Sequence, residues 1–587
     1  NAEYDTVADF SSQGPSIGEN AIKPEVAAVG SDLYMATQSF DPNGDMFHPS
    51  GYTAADGTSF AAPMVAGAVA LVKQRNPNLS PAQLKSAVVN TATSEVDEYD
   101  PAGRRIRASV TAVGAGKLNA EAAVRTTVTV TPSTLSFGEV SQAGVTPQQT
   151  LTITNIGPSS VQLILAVEPR TPDLAKSLTV SPSTFSLAAG QSAAVTVRLE
   201  GRVPLPGSYE GALLIRGGPV ALRVPYLYLV SDQRPLDLVP LKNYDYVGVV
   251  NSKLPGGFLF KVTDRYGLPV PNVPVRFRPA LGQPLDANAP CPPRQGVYQA
   301  SSATDELGIA FAYACLGPTL GEQAFTAEVI SPNPLSLTFA GRTILQPTIR
   351  SNGVLNAAGS TSGGLAPGSY ISIYGAGLAE TTRAANTPSL PLSLAGVSVS
   401  FDTESPRLSL PGRLHFVSPG QVNVQIPWEL EGMNRVLVKV SLGWDFSTPL
   451  YELPLASYSP AVFEHPEPSS GMVLASALDA QNQLIGTANP ARRNSVIQVY
   501  CNGLGPVDIK QKSGEPAPLD RLVQTRVKPE ATIGGRPATV NFSGLAPGFV
   551  GLYQVNVTVP ADAPVGFEPL VLRIGGVESK PVILPVQ

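Results

Sequence analysis

Beyond about residue 125 the chain is written in short runs that alternate apolar and polar residues, and this alternation limits what it can fold into. Thr127-Val128-Thr129-Val130-Thr131, Gln149-Thr150-Leu151-Thr152-Ile153-Thr154-Asn155 and Ala193-Ala194-Val195-Thr196-Val197-Arg198-Leu199 each switch at period two. That is the pitch of a strand with one buried face. Turn signals such as Asn155-Ile156-Gly157-Pro158 and Ala188-Ala189-Gly190-Gln191 separate them. Short strands at this spacing predict antiparallel sandwiches. The 54 Gly and 57 Pro suit such turns, and charged residues make up only 14%, against the usual quarter. At 587 residues, several domains are expected.

The later β-rich part has internal structure of its own. Asp264-Arg265-Tyr266-Gly267 and Asp305-Glu306-Leu307-Gly308 read as hairpin turns in which Asp caps the turn and Gly takes positive φ. From about residue 349 the chain repeats itself. Ser369-Tyr370-Ile371-Ser372-Ile373-Tyr374-Gly375-Ala376-Gly377-Leu378 parallels Ser495-Val496-Ile497-Gln498-Val499-Tyr500-Cys501-Asn502-Gly503-Leu504. Gln421-Val422-Asn423-Val424-Gln425-Ile426-Pro427 parallels Gln554-Val555-Asn556-Val557-Thr558-Val559-Pro560. Alternation predicts that Val422, Val424 and Ile426 face one way and Asn423 and Gln425 the other. Phe416, Trp428 and Tyr553 read as core or interface anchors, with a carbohydrate platform as the competing reading, because aromatics beside amides suit sugars.

Residues 1–125 differ in kind. Gly-rich loops surround two helical patterns, one over residues 57–74 and one over residues 81–92. In the first, Ala62, Val65, Val69 and Val72 recur at helical spacing, with Pro63 near its front, where a missing N–H costs least. Ser59 then stands at a helix N-terminus, where free N–H groups and the helix dipole favour negative charge. Spacing alone makes it a polar cap; the position also suits a nucleophile whose attack creates an oxyanion. Ser80-Pro81 marks the start of the second helix. Val26 to Val29 and Leu33 to Ala36 predict short strands of an α/β layer.

Gly57-Thr58-Ser59-Phe60-Ala61-Ala62-Pro63, followed by Val65-Ala66-Gly67, resembles the nucleophile motif of the subtilisin-like serine proteases, with Phe60 where Met is commoner. Flanking segments resemble the same family: Phe10-Ser11-Ser12-Gln13-Gly14-Pro15, Lys23-Pro24-Glu25-Val26-Ala27-Ala28-Val29-Gly30, Leu79-Ser80-Pro81-Ala82 and Val113-Gly114-Ala115-Gly116-Lys117-Leu118-Asn119-Ala120. Val29 replaces the family's usual Pro. The resemblance implies an acyl-enzyme on Ser59 and a protein or peptide substrate. It also implies an order of Asp, then His, then Ser, with the family's oxyanion Asn between His and Ser. The 58 residues before Ser59 hold no D-(T/S)-G and no H-G-(T/H), and their single His is His48, which reads as a loop residue. The chain is therefore expected to carry the C-terminal part of the catalytic domain, the missing part being a partner that covers its apolar faces. By itself it is expected to be inactive.

Residues 132–138 and 182–187 resemble bacterial immunoglobulin-like modules, and residues 262–310 resemble invasin-type immunoglobulin-like domains. The duplicated part resembles a C-terminal module of secreted acidobacterial proteins. The expected fold class is thus a multidomain chain: a partial α/β subtilisin-like domain (1–125), immunoglobulin-like β-sandwiches (126–230 and 231–345), and a β module in two copies (349–460 and 461–587). A secreted or cell-surface, bacterial location follows from these resemblances. The competing reading is a non-catalytic adhesive, carbohydrate-binding or structural protein.

The net charge of -5 without a basic block disfavours nucleic acid, and the sequence has no apolar run long enough to span a membrane. Cys291 and Cys315 flank a hairpin pattern and form either a disulfide, as in an oxidising compartment, or two buried thiols. Cys501 reads as a lone buried Cys. No cofactor is expected. Asp41, Asn43 and Asp45 could suggest calcium in the parent protein, since hard oxygen ligands cluster in such loops, but they match no full binding loop and a solvated turn is preferred.

Overall fold

Among the described residues four α-helices, all before residue 126, precede a chain of strands. The computed structural model describes residues 5–39, 46–100, 102–141, 147–171, 175–286, 288–359, 364–443, 445–468 and 470–587. The helices are α1 (Thr58–Arg75), α2 (Pro81–Val89), α3 (Val110–Val113) and α4 (Ala120–Arg125). Ser80 opens α2 with a capping box: its Oγ accepts from the Gln83 N–H at 3.3 Å, and its N–H donates to Gln83 Oε1 at 3.0 Å. Two orphan amides are thereby satisfied. Ala68 and Val72 of α1 share a core with Ala87 and Val88 of α2 and Ala123 of α4.

A crossing of three segments ties this helical part together. The Ala115 N–H donates to Glu25 O, the Ala27 N–H to Gly116 O, and Thr93 and Lys117 exchange two backbone bonds of 2.8 Å. Gly114 (φ +60) and Gly116 (φ +128) sit inside the crossing, where a Cβ would lie 2.1 Å from Glu25 O and 1.9 Å from Thr93 O respectively. Both glycines are there because three backbones meet with no room for a side chain. Val26 and Ala27 make only single bridges, to Gly114 and Lys117, and not the strand expected over Val26 to Val29.

Contacts divide the chain into two units: residues 1–246, 251–318 and 322–341, and residues 247–250, 319–321 and 342–587. In the first unit a four-stranded sheet (Val128–Thr131, Gln148–Asn155, Ser192–Gly201, Lys176–Ser181) and a five-stranded one centred on Gly207–Arg216 bury Leu151, Ile153, Val197, Leu199 and Leu213 between them. The helical part is bonded directly into this sandwich. Ser86 Oγ accepts from the Val130 N–H at 2.7 Å and donates to Asn90 Oδ1 at 2.8 Å. Asn90 Nδ2 donates to Ser133 O at 2.7 Å and Arg223 O at 2.9 Å. Glu210, almost wholly buried, accepts from the Val110 N–H at 2.9 Å and pairs with Arg170 at 2.8 Å. Burial pushes its carboxyl above the usual range, and the Arg170 charge opposes that shift.

Further along, Phe258, Phe260, Phe325 and Phe339 form an aromatic core. Its hairpin turns are built as the sequence suggests. Asp264 Oδ1 accepts from the Tyr266 and Leu268 N–H groups at 2.9 and 3.0 Å, and Asp305 Oδ1 from Leu307 and Ile309 at 2.9 and 2.8 Å. Of the two states left open for Cys291 and Cys315, the structure has the disulfide, with Cα atoms 5.6 Å apart and a sequence separation of 24. Closing a loop of that length restricts the unfolded chain by about 3 kcal/mol. The Cys291→Ser/Cys315→Ser variant is therefore expected to unfold about 3 kcal/mol more easily in urea, and an unchanged midpoint would refute that contribution.

The second unit holds the repeated segments. Tyr370–Ala376 lies between Thr348–Asn356 and Gln421–Gln425 in one five-stranded sheet, and Val496–Asn502 pairs with Tyr553–Thr558 in another sheet. Val422, Val424 and Ile426 are buried as expected, but Gln425 is fully buried too. Gln425 Oε1 accepts from the Gly514 N–H at 2.7 Å and its Nε2 donates to Gly368 O at 3.0 Å. A second buried amide, Asn502, donates to Asn356 Oδ1 at 2.9 Å and Tyr370 O at 2.8 Å, and accepts from the Tyr370 N–H at 3.1 Å. Tyr553 is fully buried and Trp428 nearly so, so both are core anchors and neither offers a face for a sugar. Cys501 is free and buried, and burial pushes its thiol well above the usual value.

Candidate active site

The approach to Ser59 is a hairpin. β1 (Leu33–Ala36) pairs with β2 (Tyr52–Ala55) in antiparallel register, Leu33 opposite Ala55. Two contacts hold the exit of β2 against the entry of β1. The Gly57 N–H donates to Gly30 O at 2.8 Å, and Asp56 Oδ1 accepts from the Asp32 N–H at 2.6 Å. Gly30 lies so close that a Cβ there would stand 2.9 Å from Gly57 O and 3.1 Å from the Ala61 Cβ. Gly30 and Asp56 thus join the two ends of the hairpin just before Ser59. The glycine ending Lys23-Pro24-Glu25-Val26-Ala27-Ala28-Val29-Gly30 was the available sequence signal for this junction.

Ser59 is the second residue of α1 and is exposed. At that position its N–H has no carbonyl one turn earlier in the helix to bond, and it lies at the positive end of the helix dipole. Pro63 is the sixth helical residue and not, as the spacing suggested, part of the first turn. It has no N–H to give the Ser59 carbonyl four residues before it. The first turn of α1 is thus polar and loosely satisfied on both sides of Ser59. Its N-cap Gly57 makes no side-chain bond, so no capping group competes for those amides.

His48 lies in the turn that enters β2, exposed, with Nδ1 2.7 Å from Ser50 Oγ and accepting from the Ser50 N–H at 3.2 Å. It is engaged with its own loop. Asp41, Asn43 and Asp45 lie outside the described residues. Among the described residues no three His, Cys, Asp or Glu side chains come together in a way that could hold a metal.

The helical part shows apolar surface, as expected. Met64 and Leu71 of α1 are 48% and 51% exposed, and Val29 is 50% exposed. On the hairpin Tyr34 and Tyr52 stack with centroids 5.7 Å apart and are both exposed. An open groove of about 400 Å³ runs between α1 and α2 over Val65, Val69, Leu84 and Val88. Lys23 and Lys85 flank it, paired with Glu25 at 3.0 and 2.5 Å.

Residues 1–122 match the Subtilase family (Peptidase_S8). They form a subtilase segment. Curated relatives extend the likeness. The minor extracellular protease Vpr of Bacillus subtilis (strain 168) is 33% identical over 234 residues, 38% of this chain and 27% of that protein. The subtilisin-like protease SBT3.2 of Arabidopsis thaliana is 46% identical over 101 residues, 17% of this chain and 13% of that protein. The aligned part thus spans about a quarter or less of these relatives. Among solved structures, a PapD-like domain of human CEP192 is similar at 18% identity and a TM-score of 0.16, over 18% of this chain and 86% of that one, too low a score to carry an argument. The subtilase segment contains α1, the β1–β2 hairpin and the three-segment crossing. The chain beyond it is mostly β-sheet, and no described helix is long and apolar enough to cross a membrane.

Proposed function

We propose that this chain is part of a secreted subtilisin-like serine endopeptidase in which Ser59 is the nucleophile. The observation that carries the reading is Ser59 as an exposed second residue of an 18-residue helix inside the subtilase segment. In the proposed reaction Ser59 Oγ attacks a peptide carbonyl and loses its proton to an imidazole, giving a tetrahedral intermediate; the C–N bond then breaks, the imidazolium returns the proton to the departing amine, and the acyl-enzyme remains. The Ser59 N–H, unbonded within the helix, donates to the oxyanion as it forms. The chain supplies no His or Asp in the family's motifs, so those groups, and the Asn that completes the oxyanion hole, must be brought to Ser59 by a partner segment. The exposed apolar faces of α1 and the groove beside it suit such a partner. The Cys291–Cys315 disulfide and the extracellular relative Vpr support a secreted setting. In this reading the strands after residue 125 are immunoglobulin-like appendages.

The chain alone is expected to hydrolyse neither casein nor a chromogenic peptide and to take up no serine-directed fluorophosphonate. Co-refolded with a subtilase fragment carrying the His and Asp motifs, it is expected to label at Ser59 and to lose the label on Ser59→Ala. Turnover by the chain alone would refute the need for a partner. Labelling of the complemented chain that persists in Ser59→Ala would refute the nucleophile.

A further inference from the structure

Four corresponding positions in the two repeats of the second unit carry the same side chains on the strand face turned away from the core, beyond the ends that Gln425 and Asn502 bury. In the first, Tyr374 stands opposite Gln421 and Phe416 opposite Asn423. In the second, Tyr500 stands opposite Gln554 and Phe542 opposite Asn556. Directly opposed residues, and residues two apart along a strand, share a face. Each set of four therefore lies together, on the side away from Val422 and Val424 or Val555 and Val557, which are fully buried. All eight residues are half-buried.

Two details make the agreement more than a shared sheet pattern. The register slips at the same place in both copies, between Leu414 and Phe416 and between Val540 and Phe542. Each bulge carries the ladder past one residue, His415 or Asn541, and sets a Phe beside the Asn. The amides share one bond: Gln421 Nε2 donates to Asn423 Oδ1 at 2.8 Å, and Gln554 Nε2 to Asn556 Oδ1 at 2.8 Å, while Ser372 Oγ also donates to Asn423 Oδ1 at 3.0 Å and Gln554 Nε2 also to Gln498 Oε1 at 3.2 Å. That bond leaves an Asn N–H pair and a Gln carbonyl oxygen in each copy for a ligand. Elsewhere the copies differ, as at Gly375 and Cys501 or Ala376 and Asn502. The four positions stay alike although the same face changes at Ser372 and Gln498, which stand opposite Asn423 and Asn556.

We infer that these faces are two equivalent binding sites for a neutral, β-linked polysaccharide. Tyr and Phe flank the amide pair diagonally, on the order of 12 Å apart by strand spacing and rise, which leaves room for two sugar rings side by side. Apolar ring faces of a sugar lie on the aromatics, while its hydroxyls pair with the amide donors and acceptors. All eight residues are uncharged, so none of them offers a counter-charge to a phosphate or a carboxylate. Where one polymer spans both sites, their linkage multiplies a weak single-site affinity by about 10²–10⁴. The inference does not depend on Ser59.

The test is retention of the full chain on microcrystalline cellulose and chitin, with calorimetry against cellohexaose and chitohexaose. Retention on at least one polymer is expected, with two oligosaccharides bound per chain. Tyr374→Ala or Tyr500→Ala should each lower polymer retention by about 10-fold or more and halve the oligosaccharide stoichiometry. The double variant should retain nothing while melting as the parent does. Should the tyrosine variants fold poorly, Asn423→Asp with Asn556→Asp removes the outward donor while keeping side-chain volume, and the same loss is expected. Failure of the parent chain to bind either polymer, or undiminished binding by a folded double variant, overturns the inference.

Discussion

Replacing Gly116 with alanine is expected to destabilise the first unit by about 3–5 kcal/mol, enough to unfold the subtilase segment in a domain of ordinary stability. The added Cβ would meet Thr93 O at 1.9 Å and the Ser94 Cα at 3.1 Å. Both are backbone atoms, so no side-chain rotation relieves the clash. The φ of +128 is itself costly for an L-residue. Neither Thr93 nor Lys117 can retreat, since each holds the other by two hydrogen bonds, and the Ala27 N–H holds Gly116 O. Gly103→Ala is the control, because Gly103 also has positive φ but nothing within 4 Å of its Cβ. It should cost about 1 kcal/mol. Urea unfolding, together with amide exchange at residues 25–27, 93 and 115–118, reads both. Equal stability of the two variants would refute the crossing.

In the second unit, Asn502→Leu is expected to cost about 3 kcal/mol, a fall in melting temperature of roughly 6–12 °C. Leucine fills similar space but cannot accept from the Tyr370 N–H or donate to Tyr370 O and Asn356 Oδ1. Asn502 is wholly inaccessible to solvent, so water does not replace the lost partner, and an unpaired buried amide costs far more than a lost surface bond. Asn356 Nδ2 also donates to Ser459 O at 2.8 Å, so the strain spreads to the segment joining the repeats. Calorimetry distinguishes the outcomes. A parent that melts in one transition and a variant whose repeats melt separately would show that this network couples them, whereas an unshifted melt would refute its weight.

Local signals in the sequence carry well into the structure. Ser80 and Gln83 form the expected cap, the aspartate turns close on their own backbone amides, and Ser59 lies in the first turn of its helix. Each depends on residues within a few positions of one another. Pro63 falls outside the first turn because motif spacing does not reveal where that turn begins. Alternation puts Gln425 on the face away from Val424 without saying what covers either face, and the backbone around Gly514, far along the chain, covers the Gln425 end of this one. Gly30 and Asp56 escape notice for the same reason, since their roles depend on where a hairpin brings the chain back. The Tyr553 ring, a sugar platform or a core anchor from sequence, is core because Gly505 O accepts from its hydroxyl inside the second repeat.

The bonds from Ser86 and Asn90 into the following sandwich bear on how such a chain can be cut and recombined. α2 packs directly on the helix that carries Ser59, and its buried polar groups find their partners in Val130, Ser133 and Arg223. Joining residues 1–125 to a different downstream module would strand those groups and the Val110 amide, which now bonds Glu210. The boundary visible in composition near residue 125 is therefore a poor splice site. The subtilase segment and its first sandwich should be expressed and transplanted as one cassette.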